Sequence, residues 1–127
     1  MAYSLDFQLK SEFLRVEISG DRTEGDLVTG ARAAWTKVAA TCRENNLSRI
    51  LLVSSATGTY NTADGYDINS TLEECGVEKT WKIAFVNLDA DSYHDIQFGE
   101  TVAVNRGYWL RLFSTENDAM AWLLDRT

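Results

Sequence analysis

The chain has no proline and a single histidine, His94, and each scarcity removes possibilities. Without proline every chain reversal must rest on glycine, asparagine, aspartate or serine. With one histidine there is no multi-histidine metal cage and no relay between two imidazoles. The two cysteines, Cys42 and Cys75, lack a CxxC or metal-ligand spacing. Cys42 falls on an apolar helical face and Cys75 at a helix end, which reads as two buried free thiols, with a disulfide as the lesser alternative. Neither GxGxxG nor GxxxxGK[ST] occurs, so no phosphate loop is present, and no GxSxG elbow offers a hydrolase nucleophile. No hydrophobic run is long enough to span a bilayer and no charged-then-apolar leader opens the chain. A soluble, cytoplasmic protein without membrane insertion is expected.

What is present fits one globular domain over 1–127. A chain of 127 residues can bury roughly two-thirds of its unfolded surface. Hydrophobic residues make up 45% and charged residues 24%, too apolar for a disordered chain. The net charge is −7, and the twelve Lys and Arg are scattered singly among acids. Phosphate backbones would repel such a surface, which excludes nucleic acid as a partner.

The hydrophobic pattern orders the elements. Tyr3, Leu5, Phe7 and Leu9 alternate with Ser4, Asp6 and Gln8, and Leu14, Val16 and Ile18 alternate with Arg15, Glu17 and Ser19. Two antiparallel strands joined by a tight turn at Lys10-Ser11 follow from that period of two. Thr23, with Asp26 three residues on, marks a helix start. Leu27, Val28, Ala31, Ala34, Trp35, Val38, Ala39 and Cys42 then keep the 3.6-residue period. Ile50–Val53 is a continuous apolar run, expected for a strand covered on both faces. A polar loop, Ser54–Thr62, precedes a helix from about Asp64 that carries Ile68, Leu72 and Cys75 and stops at Gly76. Trp81–Val86 is the next strand. Ser92, with Asp95 three residues on, caps a helix whose inner contacts are Tyr93, Ile96, Val102 and Ala103, and which Gly99 should weaken or break. Tyr108–Phe113 alternates as a strand, and Ser114, Thr115 and Asp118 open a closing helix with Ala119, Trp122 and Leu123 on one face. The order β-β-α-β-α-β-α-β-α makes this an α/β fold. It has a mixed, mostly parallel five-stranded sheet, about four helices, and an antiparallel edge at the N-terminus.

With that order the chain resembles the STAS domains of anti-sigma-factor antagonists and their uncharacterised bacterial relatives. The resemblance rests on Leu14-Arg-Val-Glu-Ile-Ser-Gly20, the Thr23 to Asp26 helix start, the Ile50–Val53 strand and the Phe113–Leu123 closing unit, and it covers nearly the whole chain. It implies a single STAS-like βα domain, non-enzymatic and regulatory, that binds a protein partner or a second copy of itself. In sporulation-type members a serine within an Asp-Ser-Ser-Gly turn is phosphorylated to break the complex. Here the comparable turn reads Thr62-Ala63-Asp64-Gly65, so that switch does not carry over. Thr59 and Thr62 read as loop and capping residues rather than substitute acceptors.

No catalytic constellation and no cofactor motif emerges. Asp89, Asp91, Asp95 and Glu100 echo a calcium loop, but Tyr93 stands at a ligand position and His94 at the obligatory glycine. The loops after the third and fourth strands share one address, beyond the carboxyl ends of adjacent parallel strands. That rim comprises Ser55, Thr59, Tyr60, Asn61, Thr62, Asp64, Asn87, Asp89, Tyr93 and His94. It is the expected place for a partner or, in the alternative reading, for a small-molecule and lipid-like ligand in a pocket lined by Tyr60, Trp81 and Tyr93.

Overall fold

The computed structural model describes residues 3–23 and 26–125. Its strands are β1 (Tyr3–Leu9), β2 (Leu14–Gly20), β3 (Arg49–Ser54), β4 (Lys82–Asn87) and β5 (Trp109–Phe113). Its helices are α1 (Leu27–Glu44), α2 (Thr62–Asn69), α3 (Tyr93–Asn105) and α4 (Glu116–Leu123), with a 3-10 turn at Ala90–Ser92 leading into α3. The described residues form one five-stranded sheet in the order β1-β2-β3-β4-β5. β1 and β2 are antiparallel, with Phe7 opposite Val16. β2 through β5 run parallel, with Leu14 beside Ile50, Ile50 beside Ile83, and Ile83 beside Leu110.

Alternation along the strands divides the core into two layers. Leu14, Val16, Ile50, Leu52, Ile83 and Leu110 face a helical layer in which α1 presents Leu27, Ala31, Trp35, Val38, Ala39 and Cys42, α2 Ile68 and α3 Ala103. Leu51, Val53, Ala84 and Val86 point the other way, onto Ala119 and Leu123 of α4 and the side chain of Phe13. The central strands are therefore apolar throughout, since both of their faces are covered. Cys42 and Cys75 are buried free thiols, and burial pushes the Cys42 thiol up to about 11.

Several boundaries differ from the sequence reading, each for a local reason. The first hairpin turns over four residues rather than tightly at Lys10-Ser11: the Lys10 amide donates to the Phe13 carbonyl at 3.0 Å. Phe13 has left the strand to join the α4 layer. The cap of α1 is Asp26, whose carboxylate accepts from the Thr29 amide at 3.2 Å, whereas Thr23 bonds Asp21 through both its amide and its hydroxyl. α2 stops at Asn69, because Asn69 and Thr71 hydrogen-bond back to the carbonyls of Gly65 and Asp67. Leu72 and Cys75 stay buried, but from turns that end at Gly76, whose φ is +93°. β4 begins one residue later than expected, after a turn that holds Trp81 through its amide to the Glu78 carbonyl.

α3 corrects two expectations. Ser92 makes no capping bond from its side chain. Gly99 does not break the helix, which is continuous from Tyr93 to Asn105. Gly99 is buried against Asn69 of α2, and a β-carbon there would lie 2.5 Å from the Asn69 Nδ2. Glycine is required by the close approach of two helices, not by a bend.

Candidate functional site

The carboxyl ends of β2, β3 and β4 converge on one buried side chain, Arg22, which is 4% exposed. β2 does not stop cleanly at Gly20: the Thr57 amide donates to the Gly20 carbonyl at 2.9 Å and the Arg22 amide to the Thr57 carbonyl at 2.8 Å. This extension pins Arg22 beneath the β3–α2 loop. Its Nη1 donates to the carbonyls of Ala56 (2.8 Å) and Gly58 (3.1 Å) and to the Ser92 hydroxyl (3.2 Å). Nη2 makes one long contact, 3.5 Å, to the Ser54 hydroxyl. Ser92 is thus diverted from capping α3. It is buried between Arg22, the Asn87 amide group and the Asp89 carbonyl. The arginine therefore ties three loops together through neutral acceptors.

Tyr60 closes this hub from the solvent side. Its ring lies 5.9 Å from the Arg22 guanidinium, its amide donates to the Asp95 carboxylate at 3.3 Å, and its hydroxyl reaches the Asp95 carbonyl at 3.5 Å. Burial pushes the Tyr60 phenol well above its ordinary value, and the nearby Arg22 charge offsets only part of that. Tyr3 is likewise raised by burial and partly drawn back by Arg22.

Two cavities meet at Arg22 and Tyr60. The outer one, of about 580 Å³, is a polar cleft lined by Asp26, Leu27, Val28, Thr59, Asn61 and Asp64 as well. The inner one, of about 80 Å³, lies between the sheet and the helices and is largely apolar; Trp35, Leu52, Ile68, Phe85 and Leu110 line it. α2 packs on α3 and α1 above it.

The expected rim residues distribute as follows. Thr59, Tyr60, Asn61 and Asp64 gather around the outer cleft, where the Asn61 side-chain Oδ1 caps α2 by accepting from the Asp64 amide at 2.8 Å. Thr62 is exposed at the first position of α2, and Ser55 is exposed with its hydroxyl on the Ile18 carbonyl. Asn87 is buried and holds the Asp89 carbonyl at 2.8 Å. Tyr93 is half-buried and His94 exposed, and neither lines these two cavities. Trp81 does not belong to this end of the molecule: it precedes β4, at the amino end, beneath the Arg43 guanidinium. A pocket shared by Tyr60, Trp81 and Tyr93 is thereby corrected to one shared by Tyr60, Trp35 and Phe85.

Arg22 itself was legible but missed. The carboxyl-end rule singled out the loops after β3 and β4, and applied equally to β2 it reaches Gly20-Asp-Arg-Thr23.

The acidic residues that echoed a calcium loop have other work. Asp95 accepts from Tyr60, and Glu100 accepts from the Leu112 amide at 2.6 Å, on the outer edge strand β5. Among the described residues no group of three or more His, Cys, Asp or Glu is placed to hold a metal. Ser54 faces Arg22 and the Ala56 amide, and among the described residues no hydrogen bond links His94 to a serine. No helix of the described residues is long and apolar enough to cross a membrane.

No protein-family model matches this chain, and no curated protein is significantly similar to it in sequence. In three dimensions it is similar to the crystal structure of an anti-sigma factor antagonist from Mycobacterium paratuberculosis. The TM-score is 0.64 at 15% identity, over 97% of this chain and 95% of that one. The chain has the STAS fold. At that identity the likeness speaks for the architecture alone.

Proposed function

We propose that this chain is a non-enzymatic regulatory domain that binds a protein partner. The docking surface is the rim at the carboxyl ends of β3 and β4 together with the adjoining face of α2 and α3. The observation that carries the reading is the fold of an anti-sigma-factor antagonist. It is supported by two large aromatic side chains left outside the core on the helices that adjoin that rim, Phe98 on α3 at 37% exposure and Tyr66 on α2 at 47%, the latter accepting from Arg106 at the far end of α3. Aromatic groups at a surface are the usual anchors of protein interfaces. Thr62 and His94, exposed in the first turns of the same two helices, supply a polar border.

Control of this docking does not use a phosphoserine. The turn that opens α2 carries Ala63 and Asp64, and the Asp64 carboxylate puts permanent negative charge where the helix dipole favours it. Affinity purification from the native cell, read by mass spectrometry, is the test. The expected result is one dominant partner, or a second copy of this chain, that is lost when Tyr66 and Phe98 are both replaced by alanine. A strictly monomeric mass at high concentration with no retained protein would overturn the reading, as would capture indifferent to that double substitution.

A further inference from the structure

We propose that the space beneath α2 binds a small organic monoanion, a carboxylate on a short apolar body, with its head held by Arg22. A guanidinium has five N–H groups. Here Nη1 serves three acceptors, Nη2 has one contact at the limit of hydrogen bonding, and the Tyr3 hydroxyl is a further hydrogen-bond partner of the guanidinium. None of the ion pairs of the described residues includes Arg22. A buried cation served only by neutral groups and bordering a cavity is poised for an anion, and a guanidinium suits a carboxylate in a two-point contact.

The apolar half of the ligand follows from the cavity. Arg22, Ser54 and Tyr60 line one part of it, and Trp35, Leu52 and Phe85 line another. A dry cavity of about 150 Å³ takes benzene, so about 80 Å³ holds a body of three to five carbons. Glu100 also lines this space and fixes the polarity of binding. It sits on α3 over β5 and accepts from Leu112, whereas Arg22 follows β2, so β3 and β4 lie between the two charges. The anion belongs at the Arg22 end. The outer cleft, which shares Arg22 and Tyr60, is the path of entry.

The proposal stands apart from partner docking and has its own test. Unfolding midpoints are measured with acetate, butanoate, hexanoate and decanoate, and with hexanol and hexylamine as uncharged and cationic controls. Butanoate or hexanoate at saturation is expected to raise the midpoint by about 5 °C. Acetate and the two controls should do nothing, and decanoate should do no better than hexanoate. In methyl-labelled protein the shift changes should centre on Leu52, Ile68 and Leu110. Ala34 also lines the cavity, and Ala34→Leu fills it without touching Arg22. That variant should fold normally and lose the response. Equal response to hexanol, a response that keeps growing to decanoate, an unaltered response in A34L, or no response to any carboxylate would each overturn the proposal.

Discussion

Arg22 and Lys82 are both cations sunk in the fold, at 4% and 6% exposure, and they are satisfied in different ways. Lys82, at the start of β4, sends its ammonium to the carbonyls of Trp122 and Asp125 at the end of α4. It also sits 4.6 Å from the Trp122 ring and 5.0 Å from the Trp109 ring. A positive charge at a helix C-terminus between two aromatic faces is compensated on every side. Arg22 has one nitrogen crowded with neutral acceptors, and it borders two cavities where Lys82 borders neither. Burial of a charge therefore does not by itself mark a site. A buried cation beside open space does.

The largest effect expected from breaking this contrast is at the hub. Arg22→Ala removes the donor from two backbone carbonyls, Ala56 and Gly58, and should cost about 3 kcal/mol in a denaturant titration. Lys82→Met keeps the hydrocarbon stem but removes the charge, its two hydrogen bonds and its contacts with the rings. A loss of about 2 kcal/mol is expected, with altered tryptophan fluorescence as α4 loosens. Repeating both titrations with hexanoate separates the two cations. The penalty for R22A should grow, because only the parent protein gains from the ligand, and the penalty for K82M should not change. Equal growth in both would mean that the ligand reads global stability rather than Arg22.

A smaller effect is expected in the roof of the inner cavity. Gly→Ala inside a helix ordinarily stabilises by about 0.5–1 kcal/mol. At Gly99 the new methyl meets Asn69, whose amide group donates to the Gly65 carbonyl at 2.9 Å, so the sign should reverse to a loss of about 1 kcal/mol. Asn69→Ala in the same chain should return most of it. A stabilising G99A would show that α2 rides loosely enough to shift, which would also enlarge the estimate of what fits beneath it.

Much of the architecture was legible because each layer leaves its period in the chain. Ile50–Val53 is apolar at every position because helices cover both faces of β3, and α1 shows Leu27, Ala31, Trp35, Val38 and Cys42 at helical spacing because it lies flat on the sheet. Thr115 caps α4 as its position before Asp118 implied, accepting from that amide at 3.3 Å. What escaped the sequence was set by residues distant in the chain. Ser92 carries the local signature of a helix cap and is taken by Arg22, seventy residues away. Gly99 has the signature of a helix breaker and is a contact point for Asn69. The inner cavity left no trace at all, since residues from Tyr3 to Leu112 line it together.

The smallest effect expected belongs to a third cation, Arg15, on the α4 face of the molecule. Its Nε and Nη2 grip the two oxygens of Glu116 at 2.9 Å each, a two-point contact of the kind proposed for a ligand at Arg22, but made within the protein. That hydrogen bonding holds the Glu116 carboxyl below its ordinary value of 4.5. A carboxyl depressed on folding contributes stability that is fully present above the unfolded value and fades as the pH falls through the folded one. The Glu116 side chain is 41% exposed, so water screens the pair and Glu116→Gln should cost only about 0.5 kcal/mol at pH 7. The difference between parent and variant should close as the pH drops well below 4.5. A penalty for E116Q that persists in acid would mean that α4 is held there by packing, and that even a well-formed arginine fork contributes little when its partner sits in water.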